Sequence, residues 1–165
     1  MAVRGIVLIG DEMLRKVSHP ITRFDEKLGR LIDDMWDTLE DAEGAGLAAV
    51  QIGIMRRIAV VDVGDGNRYE IINPEIIEED GACDGVEGCL SIPEKRYMVR
   101  RPQKVVVRAQ DRHGETFEVT GEDILARCFA HEIDHMNGVL YIDHLQDDAE
   151  ALADDDDDDI NEDEA

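Results

Sequence analysis

The strongest chemical signal in the chain is the segment His131-Glu132-Ile133-Asp134-His135, which places two imidazoles four residues apart with a carboxylate directly after the first. On an α-helix a four-residue step returns to within about 40° of the same face, so both rings can bind one metal ion. Glu132 then lies beside the metal. Two nitrogen ligands, an open position for water and a nearby base are what metal-assisted hydrolysis requires.

The third ligand does not follow from this spacing. In the metzincin pattern a histidine six residues after the second ligand completes the site, but Tyr141 stands at that position. Cys89 lies between a glycine, which lets backbone approach a ligand closely, and an apolar residue. Taken alone, such a cysteine is more often an ordinary buried residue. Besides the carboxylates, the open candidates are His19, His113, His144, Cys83, Cys89 and Cys128.

A second segment, Gly44-Ala45-Gly46-Leu47-Ala48-Ala49-Val50-Gln51, is rich in small residues. It lacks the glycine spacing and the lysine of a phosphate-binding loop, which argues against that function. Its small side chains favour close packing or a peptide that lies along exposed backbone. Gln51 can donate an amide hydrogen bond into a site, although glutamine is usually a surface residue.

Together, 44–51, Glu87-Gly88-Cys89-Leu90-Ser91 and 131–135 resemble the three signature motifs of the peptide deformylase family, in order and in approximate spacing. The resemblance continues through Leu14-Arg15-Lys16, 92–94 and 138–143 and covers roughly residues 3 to 145. It implies a bacterial enzyme of protein biosynthesis. Such an enzyme removes the N-formyl group from the N-terminal formylmethionine of nascent polypeptides and releases formate.

The resemblance also implies roles for individual residues. Glu132 looks like the catalytic acid/base, and Gln51 with the backbone N–H of Leu90 resembles the pair that stabilises the oxyanion. Ala45 replaces a bulkier apolar residue often found there, which leaves the shape of the methionine pocket open. The implied metal ligands are Cys89, His131 and His135. The implied substrate-binding residues are Ala45, Gly46, Glu87, Gly88 and Cys128.

The metal and the reaction each leave alternatives. A thiolate with two imidazoles suits Zn(II), Fe(II), Ni(II) or Co(II), and the resemblance implies Fe(II) in the cell. Asp134 is either an acceptor that orients a ligand histidine or an exposed helix charge. A small zinc peptidase would share the same helical motif. A peptide-binding or metal-binding module without turnover is the non-enzymatic alternative, against which stands the complete set of ligands, base and glutamine.

Hydrophobic periodicity predicts the elements that position these residues. Apolar residues recur at three- and four-residue steps from Asp25 to about Glu43, which predicts an amphipathic helix. A second helix is predicted from Glu122 to about Met136. The β-type segments lie between them, at 58–63, 69–72, 75–79, 97–100, 105–109 and 116–119. Because their close spacing favours antiparallel pairing, the predicted fold class is α+β, with antiparallel β-sheets packed around a central helix that carries the H-E-x-x-H motif.

Charge divides the chain into two parts. The net charge is −23, and twelve of the 40 acidic residues lie in 147–165, which leaves 28 acids against 17 bases, or −11, in the rest. We expect 1–146 to be one catalytic domain and 147–165 an acidic, disordered tail. Because the body is acidic as well, adaptation to salty surroundings is a second interpretation of that composition.

Composition also limits the partners and surroundings that we expect for this protein. No apolar run approaches the roughly 18 residues of a membrane span, and the N-terminus lacks a signal-peptide pattern, so we expect a cytoplasmic protein without membrane contact. Nascent-chain substrates imply proximity to the ribosome. The acidic tail should be repelled by ribosomal RNA, so we expect no direct nucleic-acid binding by the tail.

Overall fold

The computed structural model describes residues 2–145 and Leu152. The predicted tail, 147–165, therefore lies outside the described residues apart from Leu152, whose N–H donates to the carbonyl oxygen of Arg96 (2.7 Å). The tail and the boundary at 146 stay predictions. Within the described part of the chain, we find no helix with both the length and the apolar character needed to cross a membrane.

The described chain consists of two helices, seven strands and short 3-10 turns. In chain order these are α1 (Glu26–Ala42), β1 (Gly46–Ala48), β2 (Ile58–Val61), β3 (Tyr69–Asp80), β4 (Cys83–Cys89), β5 (Ile92–Arg101), β6 (Lys104–Gln110), β7 (Thr116–Glu122) and α2 (Ile124–Met136). Five strands form one antiparallel sheet in the order β1-β2-β3-β6-β7, and β4 pairs with β5 in a separate antiparallel hairpin. The predicted α+β class is confirmed.

Strand β2 shows how one sheet packs against both helices. All four of its residues are buried. Ile58 and Val60 pack with the apolar face of α1, whereas Ala59 and Val61 pack with residues of α2. Successive strand side chains point to opposite faces of a sheet. Helix α1 therefore covers one face of the large sheet and α2 the other, which explains why β2 reads as an unbroken apolar run.

Helix α1 agrees closely with its sequence prediction. Asp25 caps its first turn by accepting a hydrogen bond from the backbone N–H of Leu28 (3.0 Å). The helix ends where Glu43 adopts a left-handed conformation with φ of 55°. On its sheet side, the Trp36 indole donates to the carboxylate of Glu70 on β3 (2.7 Å), which fixes the rotation of the helix against the sheet.

The predicted turn at Asn73-Pro74 is wrong, because β3 continues through it. The register between β3 and β6 shifts between Ile72 and Glu75, and a bulge of this kind tolerates a residue that has no N–H. Asn73 takes a left-handed φ of 50° and exchanges two hydrogen bonds with the backbone of Ile21 (2.8 and 2.9 Å). Strands β1 and β4 are absent from the predicted elements because both contain glycine and few β-branched residues.

The turn after α2 lies against the beginning of the chain. Gly138 has a φ of 74°, and a Cβ atom there would collide with the carbonyl group of Arg15. Nearby, the backbone N–H of Ser18 donates to the carbonyl oxygen of Met136 (2.8 Å). The N-terminal segment thus crosses the end of the helix that carries both histidines, and glycine permits this close approach.

We predict that Gly138→Ala lowers the free energy of unfolding by at least about 2 kcal/mol, because it adds a backbone collision to left-handed strain. Gly64→Ala is the matched control, since Gly64 has a φ of 84° but open space around its missing side chain. Denaturant unfolding of both variants measures the difference. Equal losses in the two variants would contradict the packing role of Gly138.

Candidate metal centre

Three potential ligand atoms from two elements meet in the interior. Cys89 ends β4, while His131 and His135 lie one turn apart on α2. The Cys89 Sγ lies 3.4 Å from the His135 Nε2, which lies 3.2 Å from the His131 Nε2. All three donor atoms fall within 4.8 Å of one another. Cys89 on β4 and His131 on α2 are 42 residues apart in sequence, so two distant elements converge on one point.

The His131 ring is held from two sides. Its Nδ1 lies 2.9 Å from the Glu87 Oε1 and donates a hydrogen bond to it, so the Nε2 atom faces Cys89 and His135. The Tyr141 ring stacks on His131 with 5.8 Å between centroids. The residue that excludes the metzincin pattern thus covers one face of this imidazole, and both contacts orient it.

This donor set fits a metal ion. An ion in tetrahedral coordination, about 2.0 to 2.1 Å from nitrogen and 2.3 Å from sulfur, separates its ligand atoms by about 3.3 to 3.6 Å. The two observed separations of 3.2 and 3.4 Å are close to those values. Among the described residues, the buried Glu132 Oε1 has no hydrogen-bond partner, as expected for a group that serves a ligand rather than the protein.

Glu132 lies under β1. A Cβ atom on Gly46 would approach the Glu132 Oε2 to 2.5 Å and the Cys128 Sγ to 2.8 Å. Glycine at this position is therefore what allows β1 to pass over the helix while the carboxylate stays in place. Glu132 itself is 3% exposed, so its carboxylate faces the cleft and not bulk solvent.

Gln51 is buried, contrary to the usual surface role of glutamine. Its Oε1 accepts from the backbone N–H of Ala48 (2.9 Å), and its Nε2 donates to the Ser91 Oγ (3.1 Å) and lies 3.6 Å from the Cys89 Sγ. The acceptor end of the amide is thus tied to its own loop and the donor end faces the sulfur. Leu90, directly after Cys89, occupies the turn between β4 and β5.

A cleft of about 470 Å³ opens beside these groups. All the residues predicted to bind substrate line it: Ala45, Gly46, Glu87, Gly88 and Cys128. Gln51, Cys89, Leu90, His131 and Glu132 line it as well, so the structure brings these predicted site residues to one cavity. His135, which is fully buried, lies behind them.

The structure adds two arginines that sequence reasoning missed. Arg101 donates to both oxygens of Glu87 (2.8 and 3.0 Å), and Arg127 donates to the Glu87 Oε2 (2.8 Å). Arg127 also donates to the carbonyl oxygens of Val99 (2.7 Å) and Cys83 (3.0 Å), which fastens the β4–β5 hairpin to α2. With His131 as well, both Glu87 oxygens are fully occupied by protein donors.

Gly85 is the one sequence signal that points to Arg127. A Cβ atom on Gly85 would lie 2.8 Å from three atoms of the Arg127 guanidinium group. The arginine therefore crosses β4 only because that residue has no side chain. The signal cannot be read without the fold, since 42 residues separate the two positions.

Neither interpretation of Asp134 matches the structure. Its carboxylate accepts from Arg101 (2.7 Å) and lies 2.8 Å from the His144 Nε2, so within the described chain it orients neither His131 nor His135. It belongs to the ion-pair network behind the metal centre and is not a free helix charge. His144 therefore pairs with Asp134. Of the other candidate third ligands, His19, His113 and His144 all lie outside the group of converging donor atoms.

The two carboxylates of the site differ in their proton affinity. Burial raises the pKa of Glu132 to about 7. Burial acts in the same direction on Glu87, but hydrogen bonds from His131 and Arg101 overcome it and lower the pKa of Glu87 to about 2. Glu87 is therefore a permanent anion, while Glu132 is poised between its charged and neutral forms near pH 7.

Burial acts on the remaining groups as well. It lowers the pKa of His135 well below its usual value, which favours the neutral ring that binds metals. It also lowers the pKa of His131, but Cys89 and Glu87 reverse the effect and raise that pKa to about 10, so a metal ion that binds there displaces a proton. Burial raises the pKa of Cys128 well above its usual value, so this thiol stays protonated.

The fold and donor set describe an α+β protein in which one cysteine and two histidines could hold a metal ion. A family model described as polypeptide deformylase matches residues 3–151. The peptide deformylase of Heliobacterium modesticaldum is 54% identical over 148 residues, which cover 90% of this chain and 97% of that protein.

Solved structures agree with this match. A peptide deformylase from Legionella pneumophila superimposes with a TM-score of 0.86 at 49% identity and covers 88% of each chain. The peptide deformylase from Thermotoga maritima gives a TM-score of 0.86 at 43% identity, with 88% of this chain and 99% of that one covered. The chain belongs to the peptide deformylase family.

We predict that Glu87→Gln weakens metal affinity by about 10- to 100-fold, because His131 loses the anion that orients its ring. The free energy of unfolding should fall by about 3 kcal/mol, since two buried arginines lose their counter-charge. Chelator competition and denaturant unfolding measure the two effects. Glu118→Gln, which alters an exposed pair with Arg108, is the control. Unchanged metal affinity in Glu87→Gln would remove Glu87 from the support of the metal centre.

Proposed function

We propose that this chain hydrolyses the N-formyl group from the N-terminal formylmethionine of nascent polypeptides and releases formate. The observation that carries the proposal is the convergence of Cys89, His131 and His135 beside a cleft whose wall contains Glu132 and Gln51. Membership of the peptide deformylase family supports the same reaction. The residue roles below are proposals that rest on this geometry.

Cys89, His131 and His135 would hold one divalent ion. When bound, such an ion supplies Lewis acidity, which polarises a carbonyl group and lowers the pKa of water to about 7. We propose Fe(II) in the cell, with Zn(II), Ni(II) or Co(II) as alternatives that the same donors accept. Elemental analysis of protein purified without oxygen identifies the metal, and air should inactivate an Fe(II) form as the metal and the Cys89 thiolate oxidise.

Glu132 moves the proton. Its buried Oε1 atom takes a proton from the water whose oxygen adds to the formyl carbon. As the bond between the formyl carbon and the amine nitrogen breaks, the same carboxyl group gives that proton to the departing amine. One carboxylate thus serves as base and then as acid, and the products are formate and a free N-terminus.

Gln51 and Leu90 stabilise the negative charge that develops on the formyl oxygen. The Gln51 amide is preorganised, because its Oε1 is held by the Ala48 N–H while its Nε2 faces the Cys89 sulfur. The backbone N–H of Leu90 follows the ligand cysteine directly and supplies the second donor. Donors fixed before the reaction need no reorganisation as the charge forms, which is what makes them effective.

The cleft accommodates the methionine side chain and the peptide beyond it. Ala45, Cys128 and Ile124 provide its apolar surface, and the small Ala45 widens it. Gly46 and Gly88 have no side chains, so a peptide backbone can lie close to β1 and β4. Glu87 forms part of the wall, but its oxygens are occupied by protein donors, so it shapes this cleft without hydrogen-bonding to the substrate.

One paired assay tests the function against its rivals. Formate release from formyl-Met-Ala-Ser by metal-replete, anaerobically prepared protein is the expected result. Cleavage of an internally quenched peptide would instead indicate a zinc peptidase. If neither substrate reacts while the metal stays bound, the chain is a binding module that retains the fold.

The substrate also determines the proposed surroundings. Formylated nascent chains are made in the cytoplasm at the ribosome, so we propose that this chain works there and without membrane contact. Residues 147–165 should be repelled by ribosomal RNA, because they carry twelve acids and no lysine or arginine. We therefore propose that ribosome proximity does not depend on nucleic-acid binding by this segment.

We predict that Glu132→Gln keeps its metal but loses most formate release, because the amide cannot accept and return a proton. Metal content is measured beside turnover, so that a lost ion is not mistaken for lost chemistry. Glu118→Gln, on the exposed face of β7, should retain full activity. Substantial turnover by a metal-replete Glu132→Gln enzyme would refute the acid/base role.

We predict that Gln51→Ala lowers kcat on the order of 100- to 1000-fold with a smaller change in KM, since one oxyanion donor is lost. Gln51→Glu provides the matched variant, because it retains an acceptor for the Ala48 N–H but removes the amide donor. Both variants should therefore be impaired. Unchanged turnover in Gln51→Glu would show that Gln51 supports the loop and does not stabilise the oxyanion.

A further inference from the structure

Ser91 carries a buried hydroxyl group at a position where serine is usually exposed. Leu90 and Ser91 form the turn between β4 and β5. Turns usually run over the protein surface, yet Ser91 is 0% exposed. A hydroxyl group without a hydrogen-bond partner is costly to bury. The partner of this hydroxyl therefore indicates why a serine stands here.

That partner is the side chain of Gln51. Its Nε2 atom donates to the Ser91 Oγ at 3.1 Å, across 40 positions of sequence. Among the described strands, no pairing links these two places, because Gln51 lies in the 3-10 turn Ala49–Ile52 after β1 and Ser91 lies in the β4–β5 hairpin. The contact therefore joins the two elements that supply the proposed oxyanion donors, Gln51 and the N–H of Leu90.

The N-terminal segment fixes the backbones of both residues. The backbone N–H of Val7 donates to the carbonyl oxygen of Gln51 (2.7 Å), and that of Ile9 donates to the carbonyl oxygen of Ser91 (2.8 Å). Alternate residues of one segment thus hold the two main chains together. This arrangement does not use the Ser91 hydroxyl, so removal of the hydroxyl changes the side-chain contact and leaves the main chains in place.

A second anchor removes the remaining freedom of the Gln51 amide. The Ala48 N–H holds only the Oε1 end (2.9 Å), and a single hydrogen bond leaves the amide plane free to rotate. The Nε2 group carries two hydrogens that point in different directions within that plane. Ser91 accepts one of them, and the other faces the Cys89 Sγ at 3.6 Å. With both ends anchored, the direction of the second hydrogen is set before substrate binds.

We propose that Ser91 is a positioning residue for Gln51: its hydroxyl oxygen accepts one Nε2 hydrogen and so directs the other toward the formyl oxygen. The inference rests on the reaction proposed for the metal centre. Ser91 is not among the described residues that line the cleft, so it acts on the reaction only through the amide. An oxyanion donor is effective because it is fixed in advance, and Ser91 supplies one of the two anchors.

Ser91→Ala should lower kcat about 10- to 100-fold, less than loss of the donor itself, because the amide is retained but no longer held in one orientation. The ratio kcat/KM should fall by a similar factor, as expected for an interaction made in the transition state. Ser18→Ala is the matched control, since Ser18 is also buried and its Oγ has no hydrogen-bond partner within the described chain. An unchanged kcat in Ser91→Ala, or an equal loss in Ser18→Ala, would overturn the proposal.

A double-mutant cycle tests whether Ser91 acts through Gln51. The kcat for formate release is measured in the parent chain, in Ser91→Ala, in Gln51→Ala and in the double variant. If the hydroxyl only positions the amide, Ser91→Ala should change kcat by less than about twofold once residue 51 is already alanine. A loss of the same size in both backgrounds would mean that Ser91 supports another part of the site, and the proposal would be wrong.

Metal binding separates this role from support of Cys89, which lies two residues before Ser91. Chelator competition should give Ser91→Ala the metal affinity of the parent chain, because Cys89 pairs with Ile92 across the hairpin and the substitution leaves that pairing intact. A drop in metal affinity as large as the drop in kcat would assign Ser91 to the metal centre and contradict the proposal.

NMR spectroscopy of the Zn(II) form, whose ion has a filled d shell, tests the contact without turnover. Gln51→Ala identifies the two Nε2 hydrogen resonances of Gln51, which should exchange slowly with solvent in the parent chain. In Ser91→Ala the resonance of the released hydrogen should move upfield and its exchange with solvent should be faster. Unchanged resonances would overturn the positioning role. Absence of formate release by the parent chain would instead refute the function proposed above, and the resonances would still decide whether Ser91 holds the amide.

Discussion

The metal centre depends on the buried carboxylate of Glu87. This one group accepts hydrogen bonds from His131, Arg101 and Arg127, and so joins the β4–β5 hairpin to helix α2. Among the described strands, β4 and β5 pair with none of the large sheet, so strand pairing alone does not fix Cys89 relative to the histidines. The same carboxylate that joins the hairpin to α2 through Arg127 also orients the ring of His131. Folding and metal binding therefore share one interaction.

Charge balance explains why so many ionic groups remain buried here. Glu87 and Asp134 offset Arg101 and Arg127, so these four charges balance one another. A divalent ion would likewise offset the Cys89 thiolate and an ionised Glu132. Buried ion pairs gain little net stability, but removal of one partner leaves an uncompensated charge that costs several kcal/mol. The network is thus better understood as a device that enforces one geometry than as a source of stability.

Sequence predicts the parts of this architecture that are local. The histidine pair and helix α1 are visible because helical periodicity relates residues three or four positions apart. Gln51 and Cys89 require the family resemblance, since their burial depends on distant strands. Arg127 could not be found from sequence, because its partner Glu87 is 40 residues away and its passage depends on the missing side chain of Gly85. The turn predicted at Asn73-Pro74 is wrong for the opposite reason. There, hydrogen bonds to a distant segment outweigh a strong local turn signal, and the strand continues.

The alternation of side chains along β2 separates the packing of the two helices. Ala59 and Val61 support α2 and the metal-centre cleft, while Ile58 and Val60 support α1. Because a strand directs successive residues to opposite faces, a substitution that loosens the packing of α1 can leave the residues that support the cleft in place.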